Sequence, residues 1–302
     1  MAIMDRALAL ALWITALVAA PLAMVDAVTL DPSQGVPLLV VPTGSTETLR
    51  RSDEYGALAA GTCESLRRVA TLVLKDSAWG TALAGWSDAN PDCSTTAGVT
   101  CDGSGMITTI DIYDTPIPGS IPSSISALAK LQRLSFWKTQ ITGSIPSTIG
   151  VLTGLTTIDI SYNKLTGSIP AVAINNLTTL YNLFLVNNQL NGSIPVELLS
   201  HPALLYLYLD GNQLSGSIPT PVAPYGHFRD ISLNNNQLTG SINEKLNLIT
   251  SLRLLSLNNN KLTGSIPGQL NLITTLQELY ISSNLLTGSI PEDFSALGKL
   301  WK

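Results

Sequence analysis

A four-residue string, Gly-Ser-Ile-Pro, starts at Gly119, Gly143, Gly167, Gly192, Gly216, Gly264 and Gly288, and Gly-Ser-Ile-Asn starts at Gly240. The steps are 24 residues, with one of 25 between Gly167 and Gly192. Eight units therefore run over 107–299. A fixed period of this length marks an array of identical supersecondary units, each too small to bury its own apolar face. Such an array gains its stability from stacking.

The consensus is L-x-x-L-x-L-x-x-N-x-L-x-G-x-I-P-x-x-L-x-x-L-x-x, cleanest in Leu252 to Thr275. Alternation at Leu255 and Leu257 has period two, so it predicts a short strand with one face buried. Stacked units pair these strands into one parallel sheet of about eight strands, and the connections between parallel strands are right-handed. The predicted architecture is an α/β repeat, a right-handed solenoid with a concave parallel sheet. Asn163, Asn188, Asn212, Asn236, Asn260 and Asn284 share one position, where an inward amide satisfies backbone groups as the strand turns away. Thr115 and Thr139 stand there in the first two units, so this ladder is expected to be weaker at that end. The glycine of every unit implies a tight backbone approach or a positive φ. The proline ends a second extended stretch and opens a short helical turn on the convex side.

The L-x-G-x-I-P form of the repeat resembles the plant-type leucine-rich repeats of receptor-like proteins, receptor-kinase ectodomains and polygalacturonase-inhibiting proteins. Protist surface antigens carry similar repeats. The resemblance is strong over 107–299 and weaker over 52–106, where Trp86 and Cys93-x7-Cys101-Asp102 look like that family's N-terminal helical cap. The cap usually has a Trp between its two Cys and a further Cys pair; here that Trp is missing and only Cys63 remains. The resemblance implies a strand face open to ligands and a Cys93–Cys101 disulfide, which an exported chain can keep oxidised. Cys63 falls in a helix-like stretch, Ser52 to Lys75, as a small core residue, with an intermolecular bridge as the alternative.

Residues 1–27 read as a signal peptide: Arg6, an apolar run from Ala7 to Ala20, then Pro21 and small residues before Val28. An uncleaved anchor or a buried helix are the alternatives, although the run is shorter than the ~20 residues of a spanning helix. Residues 28–51, with three Pro and no periodicity, read as a flexible leader. Residues 300–302 begin a ninth unit without a polar cap, which implies a fragment or an edge covered by another chain. The expected location is secreted or at the cell surface, with any membrane attachment through the N-terminal segment or a missing C-terminal region. Asn176-Leu-Thr178 and Asn191-Gly-Ser193 are glycosylation sequons, which also arise by chance.

Charged residues make up only 12% of the chain and its net charge is −5, which excludes a nucleic-acid footprint. Nothing points to a cofactor or a metal. His201 and His227 are the two histidines, both placed by the repeat in convex connectors with no nucleophile beside them, so a surface role is expected. The chain reads as a binding protein and not an enzyme.

Three columns of strand residues flank the buried positions and project outward. They hold Thr109, Arg133, Thr157, Asn182, Tyr206, Asp230, Leu254 and Glu278; then Asp111, Ser135, Asp159, Phe184, Tyr208, Ser232, Ser256 and Tyr280; then Tyr113, Trp137, Ser161, Val186, Asp210, Asn234, Asn258 and Ser282. Aromatics gather at Tyr113 with Trp137, and at Phe184 with Tyr206 and Tyr208. Exposed rings among charges are what binding hot spots use. The expected site is therefore Tyr113, Trp137, Asp159, Phe184, Tyr206, Tyr208 and Asp210, for a protein, peptide or glycan ligand. The alternative is a solvated sheet whose rings merely cover their neighbours. In the fifth unit Thr220 to His227 carries two prolines in place of the helical turn, which predicts a convex loop. By function class the choice lies between a receptor or adhesion module and a soluble inhibitor of a wall-degrading enzyme.

Overall fold

The computed structural model describes residues 28–30, 37–39, 98–104, 106–117, 119–222 and 227–297. It divides into two units, Met1–Ala60 and Gly61–Lys302. In the first, Val28–Leu30 pairs antiparallel with Pro37–Leu39, inside the segment expected as a leader. The signal segment, Cys63 and Cys93 lie outside the described residues, as does most of the expected cap.

In the second unit each repeat contributes one strand to a single sheet. In order the strands are Ile107–Tyr113, Arg133–Trp137, Thr157–Asp159, Asn182–Phe184, Tyr206–Tyr208, Asp230–Ser232, Leu254–Ser256 and Glu278–Tyr280. Neighbours in sequence are neighbours in space and all pair parallel. A ninth strand, Val99–Cys101, adds antiparallel to the first repeat. Cys101 is disulfide-bonded. The register is unbroken because each strand turns two branched or aliphatic side chains inward, such as Leu207 and Leu209 over Ile231 and Leu233, all buried. A slip of one residue would turn that pair to solvent.

The amide ladder closes each turn onto the one before it. Asn212 Oδ1 accepts the Leu190 N–H at 3.0 Å, and its Nδ2 donates to the Leu185 carbonyl at 2.9 Å and the Leu209 carbonyl at 3.0 Å. Asn163, Asn188, Asn236, Asn260 and Asn284 repeat this pattern. At the weaker end Thr139 is buried and donates its hydroxyl to Asn163 Oδ1 at 3.0 Å, so it joins the ladder through its neighbour.

The glycine of the repeat sits at positive φ, for example +78° at Gly167. The second extended stretch forms smaller parallel sheets, one of them Asn191–Ser193, Gln213–Ser217 and Gln237–Thr239. Proline then directly precedes the helical turn, as Pro146 does at Ser147–Val151 and Pro170 at Ala171–Asn175. Where the sixth repeat has Asn243 instead, its side chain accepts the Lys245 N–H at 2.9 Å and caps the turn at Glu244–Leu248. In the fifth repeat the described residues between Ile218 and Phe228 form no helical turn, and Phe228 is fully buried. Among the described residues no helix is long and apolar enough to cross a membrane.

Candidate binding face

The outward columns do not form a uniformly open surface. Strands in a sheet stand about 4.8 Å apart, so a small side chain between larger neighbours is shaded by them. Ser135, Thr157, Ser161, Ser232 and Ser256 were expected to project and are instead buried. The rings and charges remain accessible, together with Asn182, Val186, Asn234, Leu254, Asn258 and Ser282. Tyr113 is 70% exposed, while Trp137, Asp159, Phe184, Tyr206, Tyr208 and Asp210 are half-buried on the sheet face.

Two ring pairs stand on this face. Phe184 and Tyr208 occupy matched positions on adjacent strands, with ring centroids 5.1 Å apart and planes tilted by 41°. Tyr206 lies on the same strand, in register with Asn182. The second pair differs from expectation. Tyr113 is in register with Trp137, yet the ring packed on the indole is Tyr162, edge-on at 5.4 Å. Tyr162 follows the third outward column, at a position where the backbone turns left-handed; its φ is +58°. The same position holds Asp114, Lys138, Asn187, Asn235, Asn259 and Ser283, all at positive φ. That recurrence was readable as a column, but nothing in it marked the side chain as part of the face. Lys138 adds a cation 5.8 Å from the Trp137 ring and pairs with Asp114 at 2.9 Å.

Polar contacts fix several of these groups. The Tyr208 hydroxyl donates to Asp230 Oδ2 at 2.9 Å, and Tyr280 donates to Glu278 Oε2 at 2.7 Å. Burial, then the Asp230 hydrogen bond and nearby carboxylates, pushes the Tyr208 phenol well above its usual range, so it stays protonated. Burial also raises the Asp210 carboxyl. Arg133 Nε meets Asp111 Oδ2 at 3.1 Å. The sequon residues Asn176 and Asn191 are exposed and lie off this sheet.

His201 was expected at the surface and is fully buried. The repeat spacing explains it: His201 stands in the column of Leu152, Leu177, Ile249 and Ile273, which face the core. Its Nδ1 accepts the N–H groups of Ala203 and Leu204, each at 3.2 Å. Nε2 makes no hydrogen bond of ordinary geometry, although the Ile174 and Leu177 carbonyls act on the ring. Burial depresses its basicity. This is a core role. Among the described residues no group of His, Cys, Asp and Glu could hold a metal ion.

Comparison with known proteins agrees with this architecture. The Leucine Rich Repeat family model matches residues 154–176, 203–224, 251–272 and 275–297. The ectodomain of the Arabidopsis receptor kinase HAESA, solved with an N-terminally extended IDA peptide hormone, is 31% identical with a TM-score of 0.68; the match covers 76% of this chain and 40% of that one. The ectodomain of GASSHO1/SCHENGEN3 from Arabidopsis thaliana, solved with CASPARIAN STRIP INTEGRITY FACTOR 2, is 30% identical with a TM-score of 0.68, covering 76% of this chain and 31% of that one. A plant ice-binding protein is 29% identical with a TM-score of 0.53, covering 74% of this chain and 88% of that one. The chain thus spans well under half the length of the two receptor ectodomains. No curated protein matches it in sequence. Repeat, register and structural neighbours agree on a leucine-rich-repeat solenoid similar to those ectodomains.

Proposed function

We propose that the concave sheet is a binding face for an extended peptide or protein segment, that the chain acts outside the cell in a receptor-like or adhesive role, and that it is not an enzyme. One observation carries this reading: the Trp137–Tyr162 and Phe184–Tyr208 ring pairs stand on the same rigid sheet, with the strand of Thr157–Asp159 between those of Trp137 and Phe184. Rings deliver a large contact area with few rotors to immobilise. The two Arabidopsis ectodomains, each solved with a peptide or protein factor, support the same use of this fold. The test is to pan a displayed random-peptide library on the purified chain and measure the selected peptides against a Trp137→Ala/Tyr208→Ala variant. A loss of about 2 kcal/mol or more in binding with little change in Tm is expected. Unchanged affinity in the double variant would overturn the assignment of the face.

A second reading concerns a different face and rests on its own observation. Thr142, Thr166, Ser215, Thr239, Thr263 and Thr287 form one exposed column, and Ser120, Ser144, Ser168, Ser193, Ser217, Ser241, Ser265 and Ser289 form another two residues on. The hydroxyls of Thr142, Thr166, Ser215 and Thr287 bond back to the preceding glycine carbonyl, as Thr142 does to Gly119 at 3.0 Å. The serine hydroxyls make no such bond among the described residues. The two columns are staggered between repeats, so that Ser193 stands opposite Ser215 and Ser217 opposite Thr239, about 4.8 Å apart across strands. One structural neighbour is a plant ice-binding protein, and paired exposed hydroxyls on this side support the same reading here. Inhibition of ice recrystallisation by the purified chain, abolished in Ser217→Lys/Ser241→Lys, is the expected result; inactivity of the parent chain refutes this reading.

A further inference from the structure

The geometry points to a specific occupant for repeats 4–6 of the concave sheet: a peptide segment that presents one lysine or arginine to Asp230 and another to Asp210, and lays an apolar residue on the Phe184–Tyr208 ring pair. This rests on the reading of that sheet as a peptide-binding face.

The argument starts from how charge is distributed along the sheet. In the first two repeats each cation is already matched: Arg133 with Asp111 at 3.1 Å and Lys138 with Asp114 at 2.9 Å. From the third repeat onward the outward columns carry Asp159, Asp210, Asp230 and Glu278 and no cation at all. None of these four carboxylates forms an ion pair among the described residues. Arg229 and Arg253 stand one residue before the outward column, and Arg253 is directed to Gln277 Oε1 at 3.1 Å. The face is therefore one-signed from the third repeat onward, while its first two repeats are neutralised from within.

The carboxylates of repeats 5 and 6 are poised differently from ordinary surface acids. Asp210 is half-buried with no counter-charge, and burial raises its carboxyl against the opposing pull of its own backbone and the Ser232 hydroxyl. Desolvating a charge without a partner is unfavourable, and an incoming cation offsets that cost. Asp230 is held from one side by the Tyr208 hydroxyl, and a carboxylate has about four acceptor sites, so it retains capacity for a guanidinium or ammonium. The same Tyr208 is half of the ring pair. Cation and apolar contact are thus offered side by side, and ring faces themselves attract cations. A free polyamine would satisfy the acids and leave the rings uncovered; a peptide satisfies both.

The test uses the full chain and three fluorescein-labelled nonapeptides, alternating leucine with arginine, with its neutral isostere citrulline, or with glutamate. Fluorescence anisotropy is read at physiological ionic strength. The arginine peptide is expected to bind about tenfold tighter than the citrulline peptide, and the glutamate peptide more weakly than either. Asp210→Asn/Asp230→Asn, which keeps side-chain shape, should erase the arginine preference. Glu244→Gln/Glu292→Gln, on the convex connectors, should keep it. Equal binding of the arginine and citrulline peptides, binding of neither, or a preference that survives Asp210→Asn/Asp230→Asn overturns the proposal. So does a preference lost equally in the convex variant, which general acidity would explain. Phe184→Ala/Tyr208→Ala separates the two levels. If arginine and citrulline peptides bind equally but both weaken in that variant, only the cation assignment fails; if neither peptide weakens, the peptide-binding face fails with it.

Discussion

The indole of Trp137 packs edge-on against the ring of Tyr162, 5.4 Å between centroids and 60° between planes. Tyr162 comes from the residue where the third repeat turns left-handed, not from the strand itself. It is 47% exposed, so its ring adds little to the core. Edge-to-face pairs contribute about 0.5–1.5 kcal/mol beyond burial. Tyr162→Ala should therefore lower Tm only slightly while weakening any peptide selected on the concave face, through loss of the wall that fixes Trp137. A selected peptide that binds this variant as well as the parent would remove Tyr162 from the site. Anisotropy titrations beside thermal melts separate the two effects.

The amide ladder yields a stability prediction of larger size. Asn212→Ala leaves the Leu190 N–H without its partner in buried surroundings, while the Leu185 carbonyl keeps only the longer bond from Asn188 Nδ2 at 3.3 Å. Each unsatisfied buried group costs about 1–3 kcal/mol. A loss of about 1–3 kcal/mol in denaturant unfolding is expected, against well under 1 kcal/mol for a surface change such as Gln213→Ala. Equal effects would mean that the ladder is decorative.

Much of this was legible before any coordinates because the period is so regular. The inward Leu207 and Leu209, the Asn212 ladder and the left-handed Gly167 all follow from position within one unit. The face was less legible. Column assignment gives the direction of Ser135 or Ser232 but not the bulk of the side chains beside it, and that bulk decides whether a small residue reaches solvent. Tyr162 lay outside the strand periodicity, so alternation could not place its ring. His201 shows a different failure. The 24-residue register aligns it with Leu177 and Ile249, and that core position prevails over the polarity of the imidazole.

A close approach between connectors sets a further expectation. A side chain at Gly150 would place its first carbon 2.7 Å from the Ala173 Cα and 2.8 Å from the Ala173 carbonyl oxygen. Both are backbone atoms, which cannot swing aside. Gly150→Ala should push the second and third connectors apart and cost about 1–3 kcal/mol, as overpacking does. Gly103→Ala, with no atom within 4 Å, is the control and should be nearly silent.

His201 gives the chain a pH dependence with a definite sign. Its Nδ1 accepts two backbone N–H groups, so the native ring is neutral with its proton on Nε2. Protonation would turn that acceptor into a donor facing donors, inside the core. Burial lowers the folded-state pKa, while the unfolded value stays near about 6.5. Between the two, the unfolded chain binds more protons than the folded one, so stability is complete above about pH 6.5 and declines as pH falls below it. The slope from this one group is at most about 1.4 kcal/mol per pH unit. Asp210, whose carboxyl is raised by burial, works in the opposite sense on acidification, so the comparison must isolate His201. His201→Leu does this, because the sister repeat carries Leu177 there and sends its Leu180 N–H to the Leu177 carbonyl at 2.8 Å. Melting curves recorded from pH 7.5 down to about pH 5 should fall more steeply for the parent chain than for His201→Leu. Parallel curves would show that the buried imidazole escapes protonation throughout and plays no part in acid sensitivity.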